Sequence, residues 1–95
     1  MSRVYTVAEL AKLQAVATRN FKDARERLRK AAVDFLDDVR AGPISNVMHL
    51  HHSAEHDCES RMKIIARAQE GREGYMERVA AFPHDWAEKV LKGEL

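Results

Sequence analysis

At 95 residues the chain has room for one domain and a modest core, so its margin of stability is small unless it pairs with another chain. With 45% hydrophobic and 33% charged residues, and only 4 Gly and 2 Pro, the composition suits helices and excludes a chain of many turns. The formal net charge of +1 selects no class of partner by bulk charge, and the single cysteine, Cys58, excludes an intramolecular disulfide.

The first five residues read as a short extended lead-in. Thr6 then opens a helix as N-cap, with Glu9 three residues on to complete a capping box. Apolar residues follow at Leu10, Leu13, Ala17, Phe21, Ala24, Leu28, Ala31, Phe35 and Val39. Their spacing of three and four makes one continuous stripe on a helix spanning about residues 7–40. A helix of that length cannot bury its stripe alone. Gly42-Pro43 is the clearest break, and the turn is placed at about 41–44.

A second helix is expected over about residues 45–81. Its stripe reads Val47, His51, Ala54, Cys58, Met62, Ile65, Gln69, Arg72, Met76 and Val79. Gly71 and Gly74 predict a kink at 71–74, or a helix end there with a restart, because each glycine costs about 1 kcal/mol against alanine in a helix. Phe82-Pro83 ends this element, and a short helix follows over about 84–92, with Gly93 closing it. β-Branched residues never alternate with polar ones over a useful run, which argues against a sheet. The fold expected is therefore all-α: an antiparallel hairpin of two long helices with a short C-terminal helix, in a single domain over residues 1–95. A bare hairpin of this size has too little core, so a homodimer closing a four-helix bundle is expected. No segment approaches the roughly 18 apolar residues of a spanning helix, and the opening MSRVYTVAEL has no apolar leader run. A cytoplasmic protein that makes no use of a membrane is the expectation.

Two groups of residues carry candidate chemistry. His52 and His56 stand one helical turn apart and can chelate one metal ion, and His49 and Glu59 extend the same face. A zinc or other transition-metal site drawn from His49, His52, His56 and Glu59 is geometrically open, and no other cofactor is expected. The competing reading places His49, His52 and His56 away from the core stripe, on a solvated face or a partner interface. His51, on the core face beside Cys58, reads as a buried neutral histidine. The second group is a basic band. Arg19, Lys22, Arg25, Arg27, Arg29 and Lys30 on the first helix fall alongside Arg61, Lys63 and Arg67 on the second. Arg19, Lys22, Arg25, Arg29, Lys63 and Arg67 are the candidate partner-binding residues, able to meet an acidic protein surface or a phosphate backbone. The plainer account is a solvated helix face with ordinary pairs such as Glu26–Lys30.

The run Tyr5-Thr6-Val7-Ala8-Glu9-Leu10-Ala11-Lys12-Leu13, followed by Val16, Thr18, Arg19 and Phe21, resembles the opening of a MerR- or excisionase-type helix-turn-helix. That resemblance covers about eighteen residues. It implies a turn after the first short helix and a recognition helix beginning near Thr18, with Thr18, Arg19 and Lys22 facing DNA. Against it, the apolar stripe continues through 14–18 without a change of phase, as a straight helix requires.

No phosphate-binding glycine loop and no nucleophile–base–acid set stands out, so no enzymatic activity is expected. The function expected from sequence is a small non-enzymatic helical binding protein, a regulator, adaptor or inhibitor, that docks a charged helix face on a protein partner. Nucleic-acid binding through the 5–28 segment and the basic band, and metal binding through the histidine cluster, are the alternatives.

Overall fold

The computed structural model describes residues 3–37 and 45–95, together with their side chains except those of residues 32, 34–37 and 45–52. The expected turn at 41–44 and the end of the first helix at 38–40 lie outside the described residues. Helix α1 spans Val7–Asp37 and α2 spans Ser45–Gln69. Helix α3 spans Tyr75–Ala80, a 3₁₀ turn covers Pro83–Asp85, and α4 spans Trp86–Leu91. No strand occurs among the described residues.

Helix lengths alone fix how α1 and α2 lie. At 1.5 Å per residue they run to roughly 46 and 37 Å. The molecule measures 53 × 23 × 22 Å, so the two cannot sit end to end and must lie side by side. The segment 38–44 that joins them reaches at most about 25 Å when extended, too short to return to the start of α1. Helix α2 therefore runs antiparallel to α1.

The start of α1 is fixed by its cap. The Glu9 N–H donates to Thr6 Oγ1 at 3.1 Å, and the Thr6 N–H donates to Glu9 Oε1 at 2.9 Å. This reciprocal pair satisfies two N–H groups that the helix itself cannot. Tyr5, just before the cap, and Leu10, one turn after it, are both 3% exposed, and together they staple the incoming chain onto the helix. Arg3 adds a tie across the molecule: its guanidinium binds Glu9 at 3.1 Å and Glu88 of α4 at 2.8 Å.

The second long helix stops at Gln69 and does not run on to residue 81. The Arg72 N–H donates to the Arg67 carbonyl and the Gly71 N–H to the Ala68 carbonyl, both at 3.1 Å. This closing pattern needs a left-handed residue at its centre, and Gly71 supplies φ +80° without a side-chain penalty. Gly74, at φ +84°, then turns the chain into α3. Further on, His84 and Asp85 hold φ of 61° and 52° at the entry to α4. These are among the side-chain types that tolerate the left-handed region best.

The C-terminal helices fold back over one end of the hairpin. Tyr5, Leu10, Leu13 and Ala17 pack there with Ile65 and Ala68 of α2, Val79 of α3, and Trp86, Ala87 and Val90 of α4. Leu13, Ile65, Val79 and Val90 are the largest side chains wholly withdrawn from solvent. The core thus occupies the stem of the hairpin, where the start of α1 and the end of α2 meet. Gln69 and Arg72, placed by periodicity on the buried stripe of the second helix, are exposed, and Ala68 takes the buried position. Arg72 lies beyond the end of α2, where the 3.6-residue rhythm no longer governs burial, and Gln69 is the last residue of that helix, past the layer that α3 and α4 cover.

Candidate functional site

Helix α1 turns its cations outward. Lys22, Arg25 and Arg29 recur at steps of three and four, so they share one line on the helix, and with Glu26 they border a shallow surface groove. Arg19 is exposed too. Among the described residues, Arg19, Lys22, Arg25 and Arg29 make no ion pair with a carboxylate. The expected Glu26–Lys30 pair is not formed either. The Arg25 guanidinium rests 6.0 Å from the centre of the Phe21 ring, within cation–π range.

The α2 members of the band are engaged locally. Lys63 binds Glu59 at 2.9 Å, one turn back on the same helix. The hydrogen bond from Lys63, then its charge, holds the Glu59 carboxyl below the ordinary carboxylate range, and the charges of His56 and Arg25 act in the same direction. Arg67 is half-buried, with its guanidinium 5.7 Å from the Tyr75 ring centre. Lys63, Ala66, Arg67, Glu70 and Arg72 line a second shallow groove.

Of the histidine cluster, His56 is exposed and the Glu59 carboxylate is already bound to Lys63. The side chains of His49, His51 and His52 lie outside the described residues. Among the described residues no group of three or more His, Cys, Asp or Glu is placed to hold a metal ion. Cys58 is half-buried, and burial pushes its thiol up, with Arg61 opposing. A thiol so placed is not an activated nucleophile.

Sequence reasoning missed the role of the α2 arginines as supports for the C-terminal segment. The Arg61 guanidinium lies 4.9 Å from the Trp86 ring and 5.7 Å from the Phe82 ring. Those two rings meet edge to face at 5.6 Å and 84°. Tyr75 is held in the same way, between Arg67 at 5.7 Å and Arg78 at 4.9 Å. The available signal was position: Arg61 stands one turn before Ile65 on the edge of the core stripe, where a long aliphatic stem can cover apolar surface. Next to it, Asp57, Ser60, Arg61, Ile64, Phe82 and Pro83 border an open cleft of about 250 Å³.

The turn implied by the helix-turn-helix resemblance is not formed, because α1 runs unbroken through residues 14–18. Within that stretch Gln14 faces α2, and its Nε2 donates to the Met62 carbonyl at 3.0 Å. Thr18 is half-buried, and Arg19 and Lys22 lie on the same continuous helix as Leu10, not on a separate recognition helix. Among the described residues no helix is long and apolar enough to cross a membrane. No protein-family model matches the chain, and neither a curated protein nor a solved structure does.

Proposed function

We propose that the protein is a small non-enzymatic helical binding protein that docks the basic face of α1 on an acidic surface of a protein partner. The observation that carries this reading is the line of Lys22, Arg25 and Arg29, solvent-facing and without a carboxylate partner among the described residues. One exposed ion pair is worth only about 0.2–1 kcal/mol. Several cations on a rigid rod act together: they steer an oppositely charged surface into register and speed its arrival. Arg19 extends the line towards the stem, and Lys63 and Arg67 widen it onto α2. In this reading the working unit is a homodimer of two hairpins.

The test compares binding of fluorescein-labelled poly-glutamate and of a labelled DNA duplex to the wild type and to the triple variant Lys22→Glu, Arg25→Glu, Arg29→Glu. The reading expects salt-sensitive binding of the acidic polypeptide that the triple variant abolishes. Tighter binding of the duplex, lost in the same variant, would replace a protein partner with a nucleic acid. Equal binding of poly-glutamate by the triple variant would remove the basic face from the function.

A further inference from the structure

Among the described residues the apolar stripe of the hairpin is closed over most fully at its stem, and Ala24 alone beyond that end is buried, at 6% exposed. On α1, Leu10, Leu13 and Ala17 are at most 3% exposed, because α2, α3 and α4 all close over them. Phe21 and Leu28 continue the same helical line towards the hairpin tip but are only half-buried. On α2, Cys58 and Ala54 continue the line of Ile65, yet Cys58 is half-buried and Ala54 is exposed. The third layer of the stem has no counterpart here among the described residues.

The molecule also exposes more surface than its mass warrants. A folded monomer of 10.8 kDa is expected to expose about 5,500 Å² by the usual scaling of area with mass. This chain exposes 6853 Å², an excess of about 1,300 Å² over that scaling. A specific dimer of standard size covers about 800 Å² on each partner, so the excess is ample for one. The radius of gyration, 16.2 Å, likewise exceeds the roughly 12 Å of a compact chain of this length.

We infer that the tip-side face formed by Phe21, Leu28, Ala54 and Cys58 is the seat of a second copy of this chain, with α1 of one copy lying beside α2 of the other. The inference rests on the dimer named in the proposed function and gives it an interface. Charge selects the arrangement. At about 100° per residue, Arg25 and Arg27 flank the α1 stripe on its two sides, while Glu55 and Asp57 flank the α2 stripe. Pairing α1 with the α2 of another copy sets cations against carboxylates, and pairing α1 with α1 would set like charges together. Under a two-fold axis each copy offers both surfaces, so the contact closes on itself.

The experiment is the solution mass by light scattering, across concentrations up to about 200 µM, well above the micromolar dissociation constants of the weaker standard-size interfaces. It is run for the wild type, Ala54→Arg and Val7→Arg. Ala54 is exposed and arginine is a good helix former, so Ala54→Arg leaves the single hairpin intact, and an unchanged helical circular dichroism signal verifies this. Val7, 86% exposed on α1 at the stem, controls for added charge. The expected result is twice 10.8 kDa for the wild type and Val7→Arg, and 10.8 kDa for Ala54→Arg. A wild type that remains monomeric overturns both this interface and the dimer. Dimers in both the wild type and Ala54→Arg overturn the interface and leave the dimer standing. A monomeric Val7→Arg overturns the interface as well, since the effect would then follow charge and not place. Acidic-partner binding is read in its own assay, where Lys22→Glu with Arg29→Glu, sparing the seam residue Arg25, tests the basic face separately.

Discussion

Replacing Gly71 with alanine sets two physical effects against each other, and the structure decides between them. An L-residue held in the left-handed region costs about 1–2 kcal/mol. No steric term adds to this, because a Cβ at Gly71 would find no atom within 4 Å. The alternative is for α2 to run on through the break, where alanine gains about 1 kcal/mol over glycine. Continuing the helix would lift Val79, Trp86 and Val90 off the stem, and each such side chain is worth about 1.5–3 kcal/mol when buried. The packing term, roughly 5–9 kcal/mol in all, exceeds the gain in helix propensity severalfold. The break therefore survives in Gly71→Ala and the strain appears as lost stability. For a domain of this size 1 kcal/mol corresponds to about 4–8 °C, so Tm should fall by roughly 4–16 °C, with the helical circular dichroism signal unchanged. Gly71→Asn should lose less, since asparagine accepts the left-handed conformation more readily. An unchanged Tm, or a gain in helical signal accompanied by exposure of Trp86, would refute the claim that tertiary packing enforces the break.

Trp86→Ala should cost about 3–5 kcal/mol in urea denaturation, the range for a buried tryptophan, and Arg61→Met about 0.5–1 kcal/mol through its lost stacking on Phe82 and Trp86. Thr6→Ala should cost about 1 kcal/mol by removing one half of the capping box. The backbone hydrogen bond from Thr6, helped by Arg3, holds the Glu9 carboxyl below its ordinary value of 4.5. A depressed carboxylate adds stability above that ordinary value and loses it as pH falls through the lower folded value, so acid titration should fray the start of α1 in the wild type. Glu9→Gln should flatten this limb of the stability profile, and an identical acid limb in the variant would remove Glu9 as its source. In hydrogen exchange, the amides of Phe21–Leu28 should gain protection as protein concentration rises, while those of Leu10–Ala17 should not, because only the former span the proposed dimer face.

Much of the fold is readable from local signals. The capping box needs only Thr6 and Glu9 three residues apart, and both of its hydrogen bonds are present. The α1 stripe needs only a spacing of three and four, and the helix runs unbroken from Val7 to Asp37. The Gly71–Gly74 pair marks the end of α2 because left-handed φ is a property of the residue itself. Reading fails where one element meets another. Periodicity puts Gln69 and Arg72 inside, but burial at the end of α2 depends on where α3 and α4 pack, and that spacing does not show. Along the chain Arg61 reads as a surface cation, because its stacking partners, Phe82 and Trp86, lie some twenty residues away in sequence and join it only after the chain doubles back. The same reversal brings aromatic rings to the cations. They accompany Arg61 and Arg67 in space though not along the chain.

The interaction faces were legible in a different degree. That Lys22, Arg25 and Arg29 share an exposed line follows from helical spacing, and the structure places them so. Which part of the apolar stripe is core and which is surface does not follow from spacing at all. Leu10 and Leu28 are the same residue type on the same line of the same helix. Yet Leu10 is 3% exposed and Leu28 is only half-buried. The difference arises from the reach of the C-terminal segment. Once Gly71 and Gly74 reverse the chain, α3 and α4 are 6 residues each, about 9 Å of helix apiece, long enough to roof the stem of a hairpin some 46 Å long but not its tip. One uniform pattern along α1 thus becomes a closed core where the chain supplies its own third layer. Beyond that reach Phe21 and Leu28 stay half-buried, and it is on them that the proposed second copy is placed.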